Sequence, residues 1–393
     1  MTGTTELLQR PRHPTAAYVH VPFCRHRCGY CNFTLISGRD DLIDAYLDAL
    51  ERELSALETP RTVETLYLGG GTPSHLPPDK LGRLLEIVDR WFPRTIGEFT
   101  IEANPLDVAG TTDSQGEERL RILRAAGVGR ISLGVQSFQT EKLRVLERDH
   151  TPQQARDAVK AVKDAGFTVS LDLIFGAPGE SQQAWQADLD AALALRPDHI
   201  SLYGLTFERG TAFWSRRARG DLRSQEEEAE RTMYLAAIDA LAAGGYEHYE
   251  ISNFALPGCR SRHNQTYWAA REYYAAGPGA ARYVDGVRSS NHRSTTTWLN
   301  RLRTGQSPLD ESEQLDPENR AREALVLGLR RVQDGVERAA FAAEFGYDVD
   351  RLGGDDLRKL LSSGLLENLG SRLRLTREGL LLGDYIWSKL LRC

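Results

Sequence analysis

Tyr18-Val19-His20-Val21-Pro22-Phe23-Cys24-Arg25-His26-Arg27-Cys28-Gly29-Tyr30-Cys31 runs a β-rich segment straight into three cysteines within eight residues. Ordinary ferredoxin sites fill the four iron corners of a [4Fe–4S] cubane with four thiolates. Three thiols on one short loop can hold three corners and leave the fourth iron open to a ligand. No fourth cysteine is near, because Cys259 is over two hundred residues on and Cys393 ends the chain. Gly29 lets the loop wrap closely and aim backbone N–H groups at the sulfurs. Zinc and inert structural thiols are the alternatives. Structural zinc wants four ligands, and His20 or His26 is available to complete such a set.

Working outward, the first half of the chain alternates strand and helix signals. Runs rich in Val, Ile, Leu, Tyr and Phe occupy 17–21, 63–68, 99–102, 130–135, 169–175 and 199–205, most of them bounded by Gly or Pro. Helical spacing fills 41–57, 78–91, 116–126, 152–165 and 181–195. Six βα units in succession predict a parallel α/β domain, as an open doubly wound sheet or a partial barrel. Either form collects functional residues at the C-terminal ends of its strands. The expected strand ends carry the cysteine loop, Gly69-Gly70-Gly71-Thr72-Pro73, Glu102-Ala103-Asn104-Pro105, Gln136-Ser137-Phe138 and Gly176-Ala177-Pro178-Gly179-Glu180. Asp172 and Tyr203 lie in or near the last two strands. The glycine run lacks the Lys-Ser/Thr ending of a phosphate loop and could alone be a tight turn.

The 393 residues suit one large domain and a smaller one. The expected division is a disordered lead-in over 1–16, a (βα)6 core over 17–215, an extension over 216–307 and a C-terminal module over 320–393. Residues 221–230 are highly charged and read as helical, 263–268 fall in a loop-rich stretch, and 308–319 read as a linker. The module reads as helices with a short hairpin, winged-helix-like and mainly helical. A net charge of −6 argues against nucleic acid as a partner. Five cysteines, three of them clustered, do not form a secreted disulfide pattern, and no run of about 18 apolar residues exists, so a cytoplasmic protein is expected.

The Cys-x3-Cys-x2-Cys loop resembles the signature of the radical-SAM superfamily. The resemblance implies a partial TIM-like (βα)6 barrel with a [4Fe–4S] cluster on Cys24, Cys28 and Cys31. It implies S-adenosylmethionine (SAM) on the open iron, an electron donor for the cluster, and reductive cleavage of SAM. Gly70, Gly71 and Thr72 match the glycine motif that contacts the SAM amino group. Glu102, Gln136 and Asp172 match positions that hydrogen-bond its ribose or methionine moiety. Arg148 matches an arginine that pairs with its carboxylate, and Tyr18 and Tyr30 match aromatics around the cluster and adenine.

From about Tyr18 to the C-terminus the chain resembles the branch holding oxygen-independent coproporphyrinogen III oxidase and the heme chaperones. The carrying motifs are Val19-His20-Val21-Pro22-Phe23-Cys24, the Gly-Gly-Gly-Thr-Pro run, Leu133-Gly134-Val135-Gln136-Ser137-Phe138 and Asp172-Leu173-Ile174-Phe175-Gly176. The oxidase continues its loop as Cys-x-Cys, whereas Phe33 stands here after Cys31-Asn32. His263-Asn264-Gln265-Thr266-Tyr267-Trp268 fits the HNxxYW motif of the chaperones, which implies heme ligation by His263 with Tyr267 and Trp268 against the porphyrin. The expected function is heme carriage to an acceptor protein, with membrane contact only through that acceptor. The alternative is oxidative decarboxylation of a porphyrinogen. Two motifs depart from the pattern: Ser261 stands where a cysteine is common, and Ala275 and Ala281 replace a glycine and a histidine around Gly277-Pro278-Gly279.

Overall fold

In the computed structural model, residues 13–109 and 115–391 are described. Residues 1–12 of the expected lead-in, and Cys393, lie outside them. Six parallel strands succeed one another: β1 (Ala16–Val21), β2 (Val63–Gly70), β3 (Arg94–Ala103), β4 (Arg130–Gln136), β5 (Thr168–Phe175) and β6 (His199–Gly204). The crossovers carry α1 (Ile43–Ser55), α2 (Pro78–Trp91), α3 (Gln115–Ala125), α4 (Pro152–Asp164) and α5 (Gln182–Leu195). The α/β partial barrel is therefore the observed fold, and the six strands and the five helices between them lie where their sequence pattern puts them.

The strands alternate with period two. In β5, Val169, Leu171 and Leu173 are fully buried in the core beneath the helices, while Ser170 and Asp172 line the inside of the barrel. Each fully buried Val or Leu contributes about 1.5–3 kcal/mol, so the outer face secures the fold. The inner face is left to polar side chains. A buried parallel strand normally reads as a continuous apolar run; Ser132, Ser170, Asp172 and Ser201 interrupt it here because they face a cavity.

The sheet does not stop at the expected boundary. After α6 (Glu227–Ala243), strands β7 (Glu247–Glu250) and β8 (Asn253–Ala255) extend one edge antiparallel, and β9 (Tyr274–Ala276) adds to the other edge in parallel. The order is β9-β1-β2-β3-β4-β5-β6-β8-β7. Residues 216–307 thus belong partly to the barrel sheet. Three more expectations are corrected. Helix α6 begins only at Glu227, so 221–226 are not helical. The loop-rich stretch forms helix α7 (Arg262–Trp268), whose N-terminus is capped by the Ser261 hydroxyl. The expected linker holds strand β12 (Leu309–Glu313), in a three-stranded sheet with β10 (Ala281–Val284) and β11 (Val287–Asn291).

The C-terminal module follows as α8 (Pro317–Leu329), β13 (Val336–Glu337), α9 (Arg338–Phe345), α10 (Val349–Ser362, broken at Gly354), β14 (Leu366–Leu369) and β15 (Arg372–Leu375). Helices α11 (Arg377–Leu381) and α12 (Gly383–Leu391) close it. Helix–strand–helix–helix–hairpin is winged-helix order, and the module has its own core around Leu325, Leu329, Leu352 and Leu373. No helix among the described residues is long and apolar enough to cross a membrane.

Candidate functional site

A cleft of about 1200 Å³ opens at the C-terminal ends of the strands and runs down the barrel interior. Its lining includes Cys24, Cys28, Cys31, Tyr30, Gly70, Gly71, Thr72, Glu102, Gln136, Arg148 and Asp172. Of the thirteen residues expected in the site, eleven line one cavity, and Tyr18 and His263 do not.

The cysteine loop leaves β1 at the rim. Cys24 and Cys28 are buried and Cys31 half-buried, and none is in a disulfide. A chain of polar contacts ties two of the thiols together. The Cys24 sulfur lies 3.3 Å from the Thr72 hydroxyl, which accepts from Asn104 Nδ2 at 3.1 Å. Asn104 Oδ1 accepts from Arg148 Nη2 at 2.7 Å, and Arg148 Nη1 reaches the Cys28 sulfur at 3.6 Å. Burial pushes the Cys28 and Cys31 thiols up, so the bare loop does not favour thiolates. Iron held by the three sulfurs would supply the positive charge that reverses this. Among the described residues no three His, Cys, Asp or Glu side chains converge on one point as a single metal ion requires. A cubane asks for a wider triangle, because each thiolate binds a different iron.

Each glycine at the end of β2 has its own reason. A Cβ on Gly69 would lie 2.8 Å from the Glu102 carboxyl carbon, and one on Gly71 would lie 2.6 Å from the Phe23 carbonyl. Gly70 has φ +113° and presses on the His20 ring. The backbone therefore comes as close to the cleft and the cysteine loop as a chain can.

Glu102 accepts from Gly70 N–H and the Tyr67 hydroxyl, both at 2.9 Å. Asp172 accepts from the Ser132 hydroxyl at 3.2 Å. Neither carboxylate is in an ion pair among the described residues. Burial pushes Glu102 up to about 7 and Asp172 up to about 6. Two buried acids without a cation suit a positively charged ligand such as a sulfonium, and Arg148 Nε is buried without a partner in the same cleft. Gln136 sits at φ 66°, where the β4–β5 register slips. A left-handed non-glycine residue at a bulge re-aims a side chain and marks functional ground. Glu147, beside Arg148, shares that conformation at φ 55°. A buried Lys142 ammonium, 2.5 Å from Glu180 and 3.0 Å from Asp188, clamps the loops after β4 and β5. Asp188 also accepts the Phe138 N–H and the Ser137 hydroxyl.

Two placements differ from expectation. Tyr18 does not flank the cysteines. It faces inward, 3.0 Å from His20 Nδ1, with its ring stacked on Tyr67. His263 is not an open ligand in this conformation. Its ring is buried (1% exposed), with Nδ1 3.0 Å from the Thr65 hydroxyl and Nε2 2.8 Å from the Tyr267 hydroxyl. Burial pushes it down to about 3, so the imidazole is neutral. Trp268, the last residue of the motif, lies under the Arg330 guanidinium, 4.5 Å from its ring centroid. The Glu98 carboxylate holds the start of α7, accepting the Arg262 N–H at 2.8 Å and the Ser261 hydroxyl at 2.9 Å. Ser261 thus has a role of its own as helix cap, and Ala281 lies exposed on β10. Asn104, Tyr67 and Ser132 were not singled out from the sequence. Polar residues at every second place in an apolar strand are the signal for the last two.

The mouth is electrically lopsided. Glu208, Glu227, Glu228, Glu230, Glu378 and Asp384 line its far side, and Arg231 beside them is paired with Glu228 and Glu378. Leu380, Leu381 and Leu382 bring the C-terminal module into the lining.

Two families match the chain: the Radical SAM superfamily over residues 18–192 and the HemN C-terminal domain over 315–382. The chain is 38% identical over 380 residues to the heme chaperone HemW of Lactococcus lactis, covering 96% of this chain and 97% of that protein. It is 34% identical to the heme chaperone HemW of Bacillus subtilis, covering 96% and 99%. It is also 35% identical to the mitochondrial radical S-adenosyl methionine domain-containing protein 1 of Danio rerio, covering 83% and 75%. Among solved structures, the coproporphyrinogen III oxidase HemN of Escherichia coli superposes with a TM-score of 0.82 at 22% identity, covering 97% of this chain and 91% of that one, a likeness of fold. With its cysteine loop, its cleft and its full-length relatives in agreement, the chain belongs to the radical-SAM superfamily and, within it, to the HemW family.

Proposed function

We propose that this protein carries heme and passes it to an acceptor protein in the cytoplasm, with a [4Fe–4S] cluster on Cys24, Cys28 and Cys31 and SAM bound beside it. The supporting observation is the relation to heme chaperones along almost the whole of both chains. When bound, the reduced cluster supplies the electron that cleaves the SAM sulfonium. The chain's own residues bind and orient. Gly70, Gly71 and Thr72 let the amino acid end of SAM approach the backbone. Arg148 offers its guanidinium to the SAM carboxylate. Glu102, Asp172 and Gln136 accept its hydroxyls and face its positive charge. Tyr30 packs beside the cluster, and Tyr18 supports Tyr67 from behind.

The electrostatics of the mouth favour carriage over decarboxylation of a porphyrinogen. Coproporphyrinogen bears four propionates, and the far side of the cleft presents six acids, beside which Arg231 is already paired with two of them. A carrier can leave the two propionates of heme in solvent. Phe33, where the oxidase has its extra cysteine, is 60% exposed beside the cluster loop.

His263 is the proposed iron ligand, reached when its imidazole leaves Thr65 and Tyr267. His26 is exposed at the cleft and is the accessible alternative. Hemin titration of the anaerobically reconstituted protein, followed by Soret absorbance, tests both. Saturable binding lost in His263→Ala and kept in His26→Ala supports the assignment. Binding lost only in His26→Ala moves the ligand to the cluster loop, and no saturable binding at all sinks heme carriage.

A further inference from the structure

The loop that holds the thiols turns an unusual surface outward. Between buried Cys24 and Cys28 the chain places Arg25, His26 and Arg27, all exposed. Arg27 donates to the Cys31 and Leu35 carbonyls and so lies flat across the loop. Arg293, also exposed, reaches from the extension and donates to the Asn32 carbonyl at 2.6 Å. Phe33, at the centre of these contacts, has the largest fractional exposure among the large hydrophobic side chains described. Arg25 lies 4.0 Å from Asp107, which is itself buried and accepts from the Ser74 hydroxyl, and Glu147, against Gly29 of the same loop, is paired with Arg216. The chain as a whole carries −6. Three arginines around one exposed aromatic therefore form a local positive patch on a negative protein, at the rim of the cleft that His26 and Phe33 also line.

We infer that this collar is the docking surface for an acidic one-electron carrier protein of the iron–sulfur type. The inference rests on the proposed cluster and is independent of heme. Cys24 and Cys28 are 8% and 7% exposed, Cys31 is half-buried and all three line the cleft, so a carrier seated on the rim formed by their own loop comes close to the cluster they would hold. A cationic rim around an apolar centre is the anatomy of a small, transient interface steered by charge. Electron-transfer encounters fall in that class, with small area and strong salt dependence. In the step itself the carrier loses one electron and the cluster gains it; no bond or proton is exchanged.

The test measures binding of a recombinant plant-type [2Fe–2S] ferredoxin to the reconstituted protein by calorimetry at about 20 mM and about 300 mM salt, which span weak and strong screening. The parallel readout is the rate of cluster bleaching by reduced ferredoxin and by dithionite. Arg25→Glu is expected to weaken ferredoxin binding about fivefold at low salt, with the difference vanishing at high salt. Phe33→Ala is expected to weaken it at both. Dithionite bleaching should be unchanged, and Arg121→Glu on α3, 75% exposed and outside the collar, should bind as wild type. The inference is overturned by salt-independent binding of the wild type, by Arg25→Glu binding normally, or by Arg121→Glu weakening binding as much. Tighter, Arg25-dependent binding of heparin than of ferredoxin overturns it in favour of a polyanion site. A protein with no dithionite-bleachable absorbance contradicts the cluster assignment instead.

Discussion

Replacing Thr65 by Val tests whether heme binding requires His263 to leave its berth. The swap keeps the shape of a 4% exposed side chain on β2 and removes only the hydroxyl that lies 3.0 Å from His263 Nδ1. Leaving a buried polar atom unpaired costs about 1–3 kcal/mol, and a value near 1.4 is tenfold in an equilibrium. The closed state loses that much. The open state loses nothing, because in the wild type opening strands the Thr65 hydroxyl, and in the variant there is none to strand. If heme binds only the open state, its apparent affinity scales with the open population. Thr65→Val is then expected to bind hemin about tenfold more tightly while its Tm falls by about 2 °C. Thr65→Ser, which restores the hydroxyl, should return both toward wild type. Hemin titration by Soret absorbance and thermal unfolding of the same samples give the answer. A lowered Tm with unchanged or weaker heme binding would refute the reasoning, since His263 would then remain in place when heme binds.

Asn104→Ala cuts the link between Thr72 and Arg148, and SAM affinity is expected to fall about tenfold with iron content retained; equilibrium dialysis and iron assay separate the two, and lost iron would make Asn104 a cluster residue instead. The folded-state values of Glu102 and Asp172 are raised to about 7 and about 6, so their charged forms appear only as pH climbs through that window. SAM is a cation with hydroxyl donors, so its Kd should tighten about tenfold between pH 5.5 and 8, and a flat profile would remove both acids from the site. For stability the sign is opposite: the contribution of these buried acids is full below their unfolded values near 4 and is lost as pH rises through 6 to 7. Glu53 accepts from Gly277 N–H, Asn291 Nδ2 and Trp298 Nε1 at 2.9, 2.6 and 3.1 Å in the core. Glu53→Ala leaves three buried donors and a cavity and is expected to cost roughly 3–5 kcal/mol in denaturant unfolding; a loss under about 1 kcal/mol would mean water replaces the carboxylate.

Much of the barrel was legible because each strand signals itself locally. Val169-Ser170-Leu171-Asp172-Leu173 carries its own period, and Gly69-Gly70-Gly71 its own turn. The cysteine loop was legible for the same reason, as three ligands within eight residues. Contacts made across long distances in sequence were not. The strand Tyr274–Ala276 is short, and pairing with β1 makes it a strand. Leu309–Glu313 is acidic and exposed and holds its place through β11, so composition alone reads it as linker. His263 shows the same limit at the site. Its motif names a histidine beside aromatics, but Thr65, 198 residues away, decides that the ring is closed. Tyr18 likewise follows its strand inward although it sits six residues from Cys24.

The two halves of the site differ in how far they are prepared. The Thr72–Asn104–Arg148 chain already holds two of the thiols in place, and Glu102 and Asp172 already face the cleft without a cation. A ligand entering there meets fixed groups and spends little on ordering them. The proposed heme ligand is the reverse, since both its nitrogens must give up hydroxyl partners before iron can be bound. That opening cost is subtracted from the affinity for heme and returned when heme leaves, because the two hydrogen bonds re-form. An enzyme gains nothing from a self-closing substrate ligand. A carrier does, because cargo flows to an acceptor only if the acceptor's site is the tighter one. A buried His263 is therefore what the carrier reading requires of a heme ligand at rest, and the Arg330–Trp268 contact places the C-terminal module where it can influence the opening.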